Sequence, residues 1–270
     1  MVISATDKIK ANILEQLEHT QTNRCGVLKV VSVPDVIVRI NEALDDDSVT
    51  VDEVAKIVCA DAVLTARILR VANSPLMCHT PVTTLTEAIR QIGVSLVRSL
   101  AVYVMLQDKF DAKSKFLNDK LHELTKQTAR VAATMHVMCK TFTTLNPDMA
   151  TLIGLIHNIG AMAIINYIDE HAAEFNLTEI NIDEIIEDVS RQVGSCILHK
   201  WGIPTPIVDV VVSINNATDY DTTDLHTYKH IFHAARLHSQ GKLSPMAQDM
   251  IDTALQTYED DVEQFTQMFG

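Results

Sequence analysis

The sequence predicts an all-α protein, and three observations carry that prediction. Apolar residues recur at three- and four-residue steps from one end of the 270-residue chain to the other, the period of a helix with one buried face. Helix-start signals punctuate those stretches, among them two capping boxes and an Asn-Pro start. Segments with β character are confined to Val27–Val33, which runs straight into Pro34, and Ile207–Ile214, which periodicity alone leaves ambiguous.

Taken in order, Ile9, Ile13, Leu14 and Leu17 make an amphipathic opening helix, and Val36–Leu44 follows Pro34, a residue suited to a first helical turn. Thr50-Val-Asp-Glu53 and Thr84-Leu-Thr-Glu87 each place a hydroxyl and a carboxylate three residues apart, so that each can satisfy the other's orphan amide. Asp61 is positioned to cap a helix running through Leu69, and Gly93 to end the one begun at Thr84. Asn146-Pro147 starts another helix. Asn181-x-x-Glu184 starts a long one that should stop at Gly202, ahead of Pro204. Periodicity adds helices over 117–140, 205–214, 224–239 and 245–257. Met135, Met138 and Met162 read as core fill. Asn215–Asp224 is the one polar, turn-rich interruption, and no repeat or Gly/Ser tether divides the chain. The organisation expected is an N-terminal helical bundle over 1–115 packed against a second bundle over 116–270, or one continuous domain.

Composition excludes several function classes. Twenty-two Lys and Arg against 35 Asp and Glu give a net charge of −13, which repels phosphate backbones and anionic membrane surfaces. Five cysteines without a C-x-x-C pair, with Cys59, Cys139 and Cys196 among apolar residues, fit a reducing compartment. The amino terminus has no apolar signal core. The longest apolar stretches, around Val94–Leu106 and Leu152–Ile165, are broken by Arg98 and by His157-Asn158, short of the roughly 20 residues a membrane span needs. A cytoplasmic location is the expectation.

Eight glycines without a cluster exclude a phosphate-cradling loop, and no G-x-S-x-G elbow occurs. Cys196 and His199 share a short arc of one helix without a third orienting group, so a buried thiol beside a surface imidazole is preferred over a catalytic pair. His226, His230 and His233 step along one helix face and are the cluster to weigh as a metal site, against a solvated histidine face; Asp219, Asp221 and Asp224 lack the glycine and terminal glutamate of a calcium loop. Asn73 and Ser74 end an apolar helix before Pro75, where they can tie off orphan backbone groups or form a contact corner for a partner. Arg98, on an apolar helix, suits a buried ion pair more than an anion site.

Leu152-Ile-Gly-Leu-Ile-His-Asn-Ile-Gly-Ala161 is the most informative segment: an apolar helix carries a His and an amide side by side toward the interior and is expected to break at glycine. Leu155-Ile-His-Asn-Ile-Gly160 resembles the Leu-Leu-His-Asp-Ile-Gly signature of HD-domain metal-dependent phosphohydrolases, with Asn158 where the metal-binding Asp stands. Asp61 through Asn73-Ser74 resembles the Asp-Pro-x-Leu…Asn-Ser stretch of the HDOD family, the HD-related output domains of bacterial signalling proteins. Glu87-Ala-Ile89 through Ile92-Gly93 is similar to that family's Glu-Ala-Ile-x-x-Leu-Gly, and Trp201-Gly-Ile-Pro204 to its Trp-x-x-Pro, all in the family's order over about residues 20–218.

Carried over position by position, the resemblance implies a degenerate HD bundle. Leu124 stands where the first HD histidine would be, His157-Asn158 replace His-Asp, Ser190 or a neighbour falls where a further His is expected, and Asn215-Asn216 replace a His-His pair. One imidazole survives, too few to bind and activate a metal-held hydroxide. What the resemblance implies is a non-catalytic bacterial signal-transduction module without a cofactor, acting on a signalling protein in trans or on a small effector, with its oligomeric state open. The alternative is a divergent phosphohydrolase acting on a nucleotide or phosphate ester, using His157 with the face of His226, His230 and His233.

Overall fold

The structure, a computed structural model, describes residues 4–18, 35–44, 49–74, 77, 80–109, 112–174, 180–213 and 225–269. Fourteen helices occupy them, with no strand among the described residues: α1 Ala5–Glu18, α2 Asp35–Leu44, α3 Val51–Cys59, α4 Ala62–Ala72, α5 Leu85–Ile92, α6 Val94–Lys109, α7 Lys115–Phe142, α8 Pro147–Ile156, α9 Ile159–Glu170, α10 Ile182–Lys200, α11 Thr205–Val212, α12 Tyr228–Ser239, α13 Pro245–Gln256 and α14 Glu259–Phe269. The protein is all-α. Val27–Val33 and Asn215-Asn216 lie outside the described residues.

The chain divides into two compact units that interleave in sequence, where the sequence suggested a boundary near 115 or one continuous domain. One unit gathers Met1–Val33, Leu106–Leu124 and His157–Val212; the other gathers Pro34–Met105, Thr125–Ile156 and Ser213–Gly270. The physical reason is helix length. α6 and the 28-residue α7 each contribute to both units, so packing partners are chosen along helices rather than by order in the chain.

In the first unit α9 is buried almost from end to end, and α10 packs along it. α1 lies on α10 with Ile9 and Ile13 fully buried. Lys10 Nζ bridges Asp188 at 2.5 Å and Glu184 at 2.6 Å, one helical turn apart, and the two carboxylates raise its pKa, Asp188 foremost. Thr6 Oγ1 accepts the Asn181 N–H at 3.0 Å, and the Asn181 side chain in turn accepts from Glu184 N, so the start of α10 is doubly anchored. α10 ends where the sequence places it, with Trp201 as C-cap and Gly202 at φ 68°, left-handed backbone that a side chain would oppose. Asp169, 8% exposed, accepts the amides of Lys113 and Ser114 at 2.8 and 3.0 Å, which satisfies donors at the start of α7 from a distant part of the sequence.

In the second unit both capping boxes form. Thr50 and Thr84 accept from the amides of Glu53 and Glu87, whose carboxylates return to the threonine amides, and the bonds from Thr84 hold the Glu87 carboxyl below its ordinary range. Asp61 caps α4 through Val63 N and Leu64 N, and Asn146 caps α8 through Asp148 N at 2.7 Å. Gly93, at φ 77°, ends α5. Each cap contributes about 1 kcal/mol. α8 meets α7 so closely that a Cβ on Gly154 would collide with the Ala132 backbone. α14, which the periodicity reading did not extend to, packs on α4 with Phe265 fully buried.

Three further differences have simple causes. The apolar helix does not break at glycine: α8 ends at Ile156, residues 157–158 form a turn, and Gly160 lies inside α9. Cys59 is exposed at the C-terminal end of α3, at the edge of the stripe formed by Val54, Ala55 and Val58; Cys139 is buried, and burial pushes its thiol up to about 11. Pro147–Glu170 is long and apolar enough by composition to cross a membrane, yet 78% of its most apolar window is buried in the protein. Met135, Met138 and Met162 are core residues, at most 3% exposed.

Candidate functional site

The sequence places its candidate chemistry at the two-residue turn that joins α8 to α9. His157 and Asn158 are both half-buried there. Asn158 is the N-cap residue of α9, but its side chain makes no capping hydrogen bond, in contrast to Asn146 and Asn181, which cap their helices. Immediately inside α9, a Cβ on Gly160 would collide with the Ser190 carbonyl oxygen and come within 2.8 Å of the Gly194 amide nitrogen. Glycine at 160 is therefore a requirement of close approach: α9 and α10 cross backbone to backbone at this point. That crossing brings the His157-Asn158 turn and Ser190 into one neighbourhood of the first unit, which spacing alone could not show. Leu124 is half-buried on α7, in the same unit.

The donor chemistry at these positions is poor. Leu124 offers no ligand atom, Asn158 and Ser190 offer neutral oxygens, and His157 is the one imidazole. Among the described residues, no group of three or more His, Cys, Asp or Glu side chains is placed to hold a metal ion. A catalytic divalent site needs anionic or imidazole ligands that fix the ion and lower the pKa of its water. The residues present do not fit such an ion.

The HDOD domain signature matches residues 30–217, more than two thirds of the 270-residue chain. The chain belongs to the HDOD domain family. This HDOD protein is similar in fold to a protein of Shewanella amazonensis provisionally named a metal-dependent phosphohydrolase, with TM-score 0.74, 20% identity, and coverage of 99% of this chain and 100% of that one. It is also similar to an HDOD domain protein of unknown function from Geobacter sulfurreducens, with TM-score 0.59, 19% identity, and coverage of 96% and 99%. A protein of Marinobacter aquaeolei VT8, provisionally named a signal transduction protein, matches with TM-score 0.64 and 16% identity over 96% of this chain and 66% of that one. No curated protein is significantly similar in sequence.

The histidines at the other end of this HDOD chain are not the single helix face that their spacing suggests. His226 is exposed and precedes α12, His230 is half-buried, and His233 is 5% exposed, its pKa lowered chiefly by burial. The helix starts at Tyr228 because Thr227 is its N-cap, accepting from His230 N, which leaves His226 outside the helical register. Cys196 is half-buried, while His199 is exposed and its Nδ1 lies 2.8 Å from the Ser195 carbonyl oxygen of its own helix.

At the Asn73-Ser74 corner the side chains bond to nearby backbone groups. Asn73 Nδ2 donates to the carbonyls of Leu69 and Val82, both at 2.9 Å, and its Oδ1 accepts the Val82 amide at 2.9 Å. Ser74, 1% exposed, donates to Val71 O at 2.8 Å, and Gln91 Nε2 donates to Ala72 O at 2.6 Å. The corner closes α4 and ties it to the segment leading into α5.

Sequence reasoning missed one buried polar pair in the second unit. His136 on α7 is 4% exposed, with Nδ1 3.0 Å from Thr151 Oγ1 on α8. The Thr151 hydroxyl donates to Pro147 O at 2.9 Å, so its oxygen accepts and His136 carries its proton on Nδ1. Burial first, and Lys140 second, bring the imidazole down to about 4. The available signal was a lone histidine in a run of apolar residues three before Cys139, which reads equally as an exposed position.

Proposed function

We propose that this HDOD protein is a non-catalytic regulatory module that acts by binding another signalling protein in trans, or a small effector, and transmitting a conformational bias. What carries the reading is the donor set: Leu124, Asn158 and Ser190, which the resemblance aligns with metal-ligand positions of the HD pattern, offer no anionic or imidazole ligand, and His157 alone cannot replace them. The provisional name of the Marinobacter relative supports the same direction. A net charge of −13 favours a partner with a basic surface over nucleic acid or an anionic membrane. Opposite charge would raise the association rate, which should fall steeply with salt while dissociation changes less.

The second reading is a divergent phosphohydrolase, favoured by the fold likeness to the Shewanella protein. Metal binding separates the two. An intact site at one hundred times its Kd would stabilise the fold by about 2.7 kcal/mol, a rise in Tm of about 5–11 °C for a chain of this size. The expected result is no such rise with millimolar Mg²⁺, Mn²⁺ or Fe²⁺, and no phosphodiester turnover above a metal-free blank. Stoichiometric metal in purified protein, with turnover abolished by His157→Ala, would establish the enzyme instead.

A further inference from the structure

We propose that the outward face of α13 is a docking surface for a basic amphipathic segment of a partner protein. The proposal rests on the binding-module reading above and gives it a location.

The chain's charge is unevenly placed. Residues 243–270 contain six acidic residues (Asp249, Asp252, Glu259, Asp260, Asp261 and Glu263) and no Lys or Arg. This short tail therefore holds −6 of the net −13, and the 242 residues before it hold −7. It also lies wholly beyond residue 217, where the family signature ends.

Its apolar surface is equally uneven. Met246 is 83% exposed and Met250, one turn on, is 36% exposed. Asp249 and Thr253 are exposed on the same face, while Ala247, Ile251 and Ala254 face the core. An amphipathic helix ordinarily keeps such side chains inward; here two long, flexible thioethers project to solvent beside a carboxylate. The surface is held in place. Ser244 caps α13 through Ala247 N, with Pro245 in the first turn. Asp252 is bonded to His238 Nε2 at 2.7 Å and to Gln248, which ties α13 to α12. α14 packs on α4, and its Phe265 is fully buried. With Asp252 engaged internally, Asp249, Glu259, Asp260 and Glu263 are the described carboxylates of this tail that are exposed.

The occupant follows from the charge. A lysine- or arginine-bearing helix with one apolar side can seat that side on Met246 and Met250 and meet the carboxylates at its edges. Phosphate-rich partners are repelled, and a second copy in a two-fold arrangement would set acid against acid.

The test uses the full chain and a labelled peptide of about 18 lysines and leucines in a helical amphipathic pattern, beside a Glu/Leu counterpart, read by fluorescence anisotropy at about 0.15 M salt. Wild type should bind the basic peptide and not the acidic one. M246S/M250S, and separately D249K/D260K, should each weaken binding by about tenfold or more. D52K/D209K makes the same charge change on exposed sites of α3 and α11 and should cost less than about threefold. Circular dichroism confirms that each variant is folded. No binding by wild type, equal binding of the acidic peptide, or equal loss in D52K/D209K and the α13 variants would overturn the surface. So would concentration-dependent self-association abolished by M246S/M250S, which would assign the face to a second copy. None of these outcomes alters the metal and turnover result, so the surface and the regulatory reading fail separately.

Discussion

Lowering the pH from about 7.5 to about 5 should cost the fold about 2 kcal/mol through His136 alone. The imidazole titrates near 6.5 in an unfolded chain and is brought down to about 4 in the folded one, by burial between α7 and α8 and then by Lys140 one turn along. Below 6.5 the unfolded state therefore takes up a proton that the folded state refuses. Stability is full above about pH 6.5 and is lost progressively as pH falls toward 4, with a ceiling of about 3 kcal/mol. Denaturant unfolding followed by circular dichroism at the two pH values measures the loss. Other groups also titrate, so the discriminating quantity is the stability gap between wild type and His136→Asn, whose amide nitrogen stands about where Nδ1 stands and can still donate to Thr151 but does not titrate. The variant should be less stable by about 1–3 kcal/mol at the higher pH, from lost packing. That gap should shrink by about 2 kcal/mol at the lower pH. A gap that does not change with pH would refute the assignment of His136 as a buried neutral imidazole.

Gly160→Ala should destabilise by about 2 kcal/mol or more in denaturant unfolding, because the new methyl meets the Ser190 carbonyl; Gly194→Ala, whose Cβ would meet nothing nearer than 3.5 Å, should stay within about 1 kcal/mol of wild type. Asn73→Ala should cost about 0.5–1.5 kcal/mol by removing the exposed side-chain bonds to the Val82 carbonyl and amide, while the Leu69 carbonyl keeps the residue-73 backbone N–H; unchanged stability with lost partner binding would make the corner a contact surface. Peptide-mapped alkylation of the native protein should label exposed Cys59 well before buried Cys139, whose thiol is pushed up to about 11; equal labelling would contradict the burial of Cys139.

Local chemistry determined much of this protein without help from the fold. Thr50 and Thr84 with their glutamates, Asp61, Asn146 and Asn181 form their caps from atoms within three residues of one another, so the sequence specifies them directly. The same holds for the helical class, for the ends at Gly93 and Gly202, and for the family motifs that run in order through Asp61, Glu87, His157 and Trp201. The poverty of metal donors at Leu124, Asn158 and Ser190 was also legible, because a side chain's chemistry does not depend on its surroundings. Tertiary structure alone decided where long-range partners meet. Nothing near Asp169 in sequence shows that its carboxylate closes the start of α7, and nothing near Gly160 shows that the residue is small because the Ser190 backbone lies against it. His136 looks the same in one dimension whether it faces solvent or Thr151, and only burial between two helices removes its charge. The histidines at 226, 230 and 233 share a helical spacing, but a cap at Thr227 removed the first from the helix. The interleaving of the two units has the same origin. Periodicity reports which face of a helix is apolar, and the choice of what covers that face belongs to packing across the whole chain.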